Sequence, residues 1–183
     1  MEGSWEIETA RAAGVGDIVA QEAIVRAYYE KIHRLARHLS RNHVEAQDLA
    51  QQTLLKACKH AGRFDGRTTL QGWIVGILLH EYSHWRRSRR LFVELKEHFS
   101  PDPSRQILDR EVLLNAIHRL PKQHCETFLL VEVHGLSVGE AASALEIPVG
   151  TVKSRLSDAR AKLRLYLEEP FVLTKTKEAR HES

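Results

Sequence analysis

The sequence predicts an all-α fold: two small helical domains joined by a flexible linker. Apolar residues recur at helical intervals along most of the chain, and no stretch shows the alternation of a half-buried strand. The stretch LFVELKEHFSPDPSRQI, residues 91–107, mixes apolar and acidic residues and then breaks at Pro101 and Pro103 between two helical runs. With 183 residues, 43% of them apolar, the chain can fill one core or two small ones. The expected organisation is an N-terminal extension (1–16), a first helical domain (17–90), the linker (91–107), a second helical domain (108–168) and a C-terminal tail (169–183).

Taken in order, residues 1–16 show no clear periodicity and are expected to be frayed or only partly ordered. From Asp17, a long amphipathic helix is marked by Ile18, Ile24, Tyr28, Ile32, Leu35 and Leu39, and ends near Ser40-Arg41-Asn42. A second helix covers roughly residues 44–61 and closes at Gly62, with Leu49, Thr53, Leu54, Ala57 and Cys58 inward and Asp48, Gln51, Gln52 and Lys56 mostly outward. The loop RFDGRTT turns at Gly66, with Phe64 as its plug. Thr68-Thr69-Leu70-Gln71 has capping-box spacing for the next helix, which carries Leu70, Trp73, Ile74, Ile77, Leu78, Glu81 and Trp85. That helix ends in Arg86-Arg87-Ser88-Arg89-Arg90, cations that suit a helix C-terminus. Because His80, Tyr82, His84 and Trp85 precede them, the segment also suits stacking of unpaired bases beside phosphate clamps.

In the second domain, a helix with Leu113, Leu114, Ile117 and Leu120 leads to Pro121 and a helix with Phe128, Leu129 and Val133, stopped by Gly135. Ser137-Val138-Gly139-Glu140 is a second capping box, flanked by Leu136 and Ala141 as a weak hydrophobic staple. The short helix it starts buries Ala141, Ala142 and Leu145, and Pro148 then opens a new helix. There Val152, Leu156, Ala159 and Leu163 form one apolar stripe, while Thr151, Lys153, Ser154, Arg155, Asp158, Arg160, Lys162 and Arg164 project elsewhere. Hydroxyls and cations in the first turns fit phosphate anchoring and base-edge hydrogen bonds, the logic of a helix-turn-helix whose second helix enters the major groove.

Composition narrows the alternatives. A net charge of +3 is mild, so the clustering of cations at 86–90 and 153–164 is the informative feature. No apolar run reaches the roughly 20 residues of a membrane span, and the N-terminus lacks a secretory pattern, so the protein is expected to stay in the cytoplasm without membrane insertion. Cys58 and Cys125 sit in apolar helical patterns and read as buried thiols. The 11 histidines form no ligand spacing such as HExxH, so no metal, cofactor or catalytic residue is assigned.

The ordered set of motifs resembles the small two-domain sigma factors of bacterial RNA polymerase, the extracytoplasmic-function group, over about residues 15–167. EAQDLAQQTLLKA is similar to the family's region 2.2, and the resemblance implies that Asp48, Leu49, Gln51, Gln52 and Leu55 dock on the β′ clamp coiled coil of core polymerase. RFDGRTTLQGWIVGILLHEYSHWRRSRR resembles regions 2.3 and 2.4, which melt and read the −10 promoter element. It implies that role for Arg63, Arg67, Thr68, Thr69, Trp73, His80, His84, Arg86, Arg87, Arg89 and Arg90. LPKQHCETFLLVEVHGLSVGEAASALEIPVGTVKSRLSDARAKL resembles region 4, which binds the −35 element and the β flap, with Thr151, Lys153, Ser154, Arg155, Asp158 and Arg160 toward DNA. The family also implies an anti-sigma factor as partner. Gln52, His80, His84 and Glu146 depart from the usual acid, Asn, Asp and Gly at their positions. The competing reading is a sigma mimic that titrates an anti-sigma factor without binding DNA.

Overall fold

The computed structural model describes residues 2–93 and 108–168, with side chains described for 5–88 and 112–168. Among the described residues there is no strand. Four helices form the N-terminal half: α1 (Glu2–Gly14), α2 (Ile18–Ser40), α3 (His43–His60) and α4 (Leu70–Val93). The C-terminal half contains α5 (Leu108–Arg119), α6 (Lys122–Phe128), α7 (Val138–Leu145) and α8 (Val149–Glu168). The expected tail lies outside the described residues, as does the expected linker apart from residues 91–93, through which α4 continues.

The ends of α2 and α3 follow their capping residues. Asp17 Oδ1 accepts from the Val19 and Ala20 amides at 2.9 and 3.3 Å, and Asn42 Oδ1 does the same for Val44 and Glu45 at 2.9 and 3.2 Å. Between them Arg41 takes a left-handed φ of 58° and its amide returns to the Arg37 carbonyl. The inward stripe of α2 is as expected except at its first position, since Ile18 is 77% exposed at the open end of the helix.

Residues 1–16 correct the sequence expectation: α1 is a formed helix whose Ala10 and Ala13 are buried. Its C-terminus meets the 3₁₀ turn Ala61–Arg63 backbone to backbone, so closely that a Cβ on Gly14 would lie 2.4 Å from the Gly62 nitrogen. A helix that docks through two alanines and a glycine carries little hydrophobic signal in its sequence.

The start of α4 is also corrected. Thr69, one residue later than expected, is the cap, with its Oγ1 accepting from the Gly72 amide at 3.1 Å. Gln71 instead accepts from Lys31 Nζ at 3.0 Å, and the Thr68 hydroxyl is buried. In the C-terminal half, α6 continues into a wide turn at Leu129–Val133, where the His134 amide bonds the Leu129 carbonyl at 2.9 Å. Both Leu129 and Leu130 are thereby buried. The capping box at Ser137 is complete, with Glu140 N to Ser137 Oγ at 3.2 Å and Ser137 N to Glu140 Oε2 at 2.8 Å.

The two halves lie against each other, α4 along α7, and their buried side chains run together into one cluster. Gly72 and Gly76, one helical turn apart, allow the close approach: Ala144 Cα lies 3.7 Å from where a Gly76 Cβ would be. A hydrophobic core therefore spans the joint rather than sitting separately in each half.

Candidate nucleic-acid interface

Helix α8 is amphipathic, with its polar faces turned outward. Val152, Leu156, Ala159 and Leu163 are all buried, which turns the opposite faces outward. Pro148 opens it with its carbonyl accepting from the Thr151 and Val152 amides at 2.9 and 3.2 Å. Glu146, in the turn before it, has φ 55° and ψ 43°. This left-handed backbone costs a non-glycine residue about 1 kcal/mol. Lys153, Ser154, Asp158 and Arg160 are exposed, while Thr151 and Arg155 are half-buried. Two of the six are engaged with the preceding helical segment: Arg160 pairs with Glu132, and Asp158 lies 3.6 Å from His124 Nε2. The outward cationic face is thus braced from behind.

The residues assigned to the −10 element are not brought together on one surface. Arg67, Thr68 and Thr69 line a cleft of about 1000 Å³ whose opposite wall is Gly135, Ser137, Glu140 and Ser143 of the C-terminal half. Arg63, Trp73 and His80 line a second cleft of about 510 Å³, closed on its far side by Ser143, Ala144 and Glu146. His84 and Arg87 are exposed further along α4, and the side chains of Arg89 and Arg90 lie outside the described residues. Arg86 is half-buried, with its guanidinium beside the Tyr82 hydroxyl and Glu126 and Cys125 of α6 nearby.

The four side chains read as a stacking platform, His80, Tyr82, His84 and Trp85, do not share one exposed face. His80 and His84 face outward, but Tyr82 is 8% exposed and stacks on Trp85, with ring centroids 5.7 Å apart. The Trp85 indole N–H donates to Glu45 of α3 at 2.7 Å. Tyr82 is thus buried beside α6, and Trp85 is half-buried and held by α3.

Among the residues assigned to polymerase docking, Asp48, Gln51, Gln52 and Leu55 lie on the outer face of α3, and Leu55 is 72% exposed. Leu49 lies inward, as the helical pattern predicts. At 3% exposure it points into the core and supports that face from within. Lys56 is exposed as expected and reaches back to Glu81, 2.6 Å away.

Sequence reasoning missed the joint itself. Thr69 Oγ1 donates to Glu140, the same carboxylate that completes the α7 capping box. Although burial opposes it, hydrogen bonds from Thr69 and Ser137 hold Glu140 below the usual carboxylate range. A few residues away, His38 Nδ1 meets His134 Nε2 at 2.9 Å, and His118 Nε2 donates to the His38 carbonyl at 2.9 Å. Burial, then the charges of His38 and Arg34, push His134 down to about 4. Burial is also the main reason His118 lies below its ordinary value, with Arg41 adding to it. Only the Gly72-x-x-x-Gly76 spacing on α4 signalled this contact in the sequence.

Residues 24–91 match the family Sigma-70 region 2, and residues 110–163 match Sigma-70, region 4. The ECF RNA polymerase sigma factor SigM of Mycobacterium tuberculosis is 30% identical over 161 residues, covering 86% of this chain and 82% of that protein. EcfG of Rhodopseudomonas palustris is 33% identical over 157 residues, covering 82% and 83%. Among solved structures, the sigma factor RpoE of Bartonella quintana, in complex with the anti-sigma factor NepR, superposes with a TM-score of 0.70 at 28% identity. That superposition covers 81% of this chain and 97% of RpoE. CnrH, in complex with the cytosolic domain of CnrY, shares the fold with a TM-score of 0.69 at 23% identity over 89% of this chain and 97% of CnrH. With both sigma regions matched in order and curated relatives aligned across most of its length, the chain belongs to the extracytoplasmic-function RNA polymerase sigma factors.

Proposed function

We propose that this protein gives core RNA polymerase its promoter specificity, reading the −35 element through α8 and the −10 element through the 63–69 loop and α4. The arrangement described above is then its closed form. The observation that carries this reading is the placement of the two surfaces: α8 presents Lys153, Ser154 and Arg160 outward, whereas Arg63, Arg67 and Thr69, also exposed, and the half-buried Trp73 line clefts whose far wall is α7. A duplex reader can act as it stands. A reader of unpaired bases that shares its clefts with α7 gains room for a flipped base when the halves part.

Opening the halves releases the Thr69–Glu140 hydrogen bond and frees the Trp73 side of α4. Unstacking costs a few kcal/mol per flipped base, so these groups must be available to bind when the duplex parts. The exposed polar face of α3, with Leu55 at its centre, is the surface proposed for the β′ clamp coiled coil, and region 4 is assigned to the β flap. An anti-sigma factor that holds the closed form fits the same logic, because it needs to stabilise only an arrangement the chain already adopts. The RpoE and CnrH structures were both solved as complexes, the former with a named anti-sigma factor. The exposed cationic face of α8 weighs against a mimic that never touches DNA.

No helix among the described residues is long and apolar enough to cross a membrane. A cytoplasmic location is proposed with the sigma role. The decisive experiment is run-off transcription with core polymerase on randomised promoter templates. Enrichment of a bipartite −35/−10 sequence is expected. Transcription that remains independent of the added protein would overturn the proposal.

A further inference from the structure

Helix α1 lies outside the matched region 2 segment, which begins at residue 24, yet it holds the proposed −10 loop at two points. Glu6 Oε2 accepts the Leu70 amide at 3.0 Å, and Glu6 Oε1 accepts the Tyr28 hydroxyl at 3.1 Å. Leu70 is the first residue of α4, so its amide has no partner within the helix. Thr69 satisfies the Gly72 amide, and a carboxylate from a different helix satisfies the Leu70 amide. A negative group at this end also complements the helix dipole. One residue along, Ile7 packs beneath the turn of the loop. Gly66 has φ 74°, and a Cβ there would come within 2.8 Å of Ile7 Cδ1.

We infer that Glu6 is a positioning residue for −10 recognition: it fixes the first turn of α4, and with Ile7 it sets the height and angle at which Arg67, Thr68 and Thr69 meet unpaired bases. This rests on the −10 assignment proposed above. Both contacts are internal to the N-terminal half, and α1 packs on α2, α3 and the Ala61–Arg63 turn. The brace therefore travels with the loop when the halves separate and acts in the open form as well as the closed one. Binding of unpaired bases depends on placement to a fraction of an ångström. A loop released from its capping carboxylate samples several placements and loses discrimination before it loses affinity.

The test uses holoenzyme assembled from the full chain and core polymerase. Its probes are fork-junction DNAs carrying the −10 strand selected by the wild-type protein, or that strand with one base changed. The readout is the ratio of affinities for the two. Glu6→Ala should lower the ratio on the order of tenfold, the size of effect expected for loss of one helix cap. Glu6→Gln, which keeps an acceptor for the Leu70 amide, should retain most of it. Tyr28→Phe removes only the hydroxyl that orients Glu6, should fall between them, and serves as the second variant if Glu6→Ala fails to fold. A merely structural role would reduce the active fraction for both DNAs alike and leave the ratio unchanged, which would overturn the inference. Thr69→Ala separates the two levels. If it lowers the ratio and the Glu6 and Tyr28 variants do not, the positioning role is wrong. If Thr69→Ala also leaves the ratio unchanged, the −10 assignment itself falls, and this inference with it.

Discussion

The two proposed DNA-reading surfaces are built from opposite principles. Helix α8 derives its exposed face from amphipathicity: its apolar stripe is buried within its own half, and Lys153, Ser154, Asp158 and Arg160 are turned outward. The 63–69 loop and α4 have no such separation. α4 packs inward on α2 and α3 through Leu70, Ile74 and Leu78, and its remaining face, marked by Gly72 and Gly76, packs on α7. On the proposed reading, the difference bears on regulation. A surface specified by local periodicity is always on, whereas one shared with another part of the chain can be switched by moving that part.

The largest expected effect tests the exposed side of this comparison. Replacing Lys153 and Arg155 together with alanine should weaken −35 duplex binding by about 1–3 kcal/mol for each base-reading hydrogen-bonded pair removed, and should lower the salt dependence of binding. Fluorescence anisotropy across a salt titration measures both. Closure of the halves should be unchanged, because Lys153 is exposed and Arg155 is engaged within its own half. Wild-type affinity in the double variant would remove α8 from the reading role.

Next in size is the pH dependence of closure. The His134 imidazole faces His38, Arg34 and, across a shared pocket, Lys31, while His118 faces the His38 carbonyl with Arg41 nearby. In the closed form His134 titrates at about 4, against 6.5 when free in water. Its folded value is depressed, so its contribution to closure is present above 6.5 and is lost progressively as pH falls toward about 4. Each histidine that takes up a proton only on opening shifts the closed-to-open ratio by up to about tenfold per pH unit. Small-angle scattering at pH 7.5 and 5 should show expansion, and His134→Gln should flatten the response. Identical profiles at both pH values would show that the histidines do not govern the joint.

What the sequence disclosed divides along the same line. The stripe of α8, the Ser137 capping box and the Gly135 stop are all readable, because each is fixed within one or two turns of chain. Tyr82 reads as part of a stacking surface because helical periodicity does not say which neighbour covers a face. Helix α1 escapes notice since Ala10 and Ala13 make a stripe too faint to register. The cap of α4 is misplaced by one residue because its second acceptor, Glu6, is 64 positions away. The histidine contact is invisible for the same reason: His38 and His134 are 96 residues apart.

A smaller effect is expected from the hydrogen bond that joins the two surfaces. Glu140→Gln keeps the side chain's shape but removes the charge that Thr69 and Ser137 stabilise. A hydrogen bond to a charged group contributes about 1.5–3 kcal/mol, and the neutral amide keeps part of it. Closure should weaken modestly, and binding of single-stranded −10 DNA by the free protein should rise, as read by gel shift. The comparison sharpens if −35 binding stays constant in the same variant. A parallel loss at −35 would mean that damage to the α7 capping box, rather than the joint, dominates.

The smallest effect concerns Glu146, the residue at which the two surfaces share a hinge. It ends α7, which covers α4, and leads through Pro148 into α8, so its backbone sets the angle between the lid of one reader and the body of the other. Its left-handed conformation costs about 1 kcal/mol in a residue with a Cβ, and glycine removes that cost while gaining freedom in the unfolded chain. Glu146→Gly should therefore stabilise the protein by less than about 1 kcal/mol, a rise of a few degrees at most in melting temperature. The side chain has a second role to separate from the backbone, since the residue lines the cleft that holds Arg63 and His80. Glu146→Asn tolerates the left-handed backbone but carries no charge. If Gly and Asn both loosen closure, the carboxylate was helping to hold the cationic wall of that cleft. If both leave closure intact and only stability changes, the residue acts through its backbone alone. A clear loss of stability in the glycine variant would show that the left-handed turn is stabilised by interactions of the Glu146 side chain, and that the hinge is less strained than its φ implies.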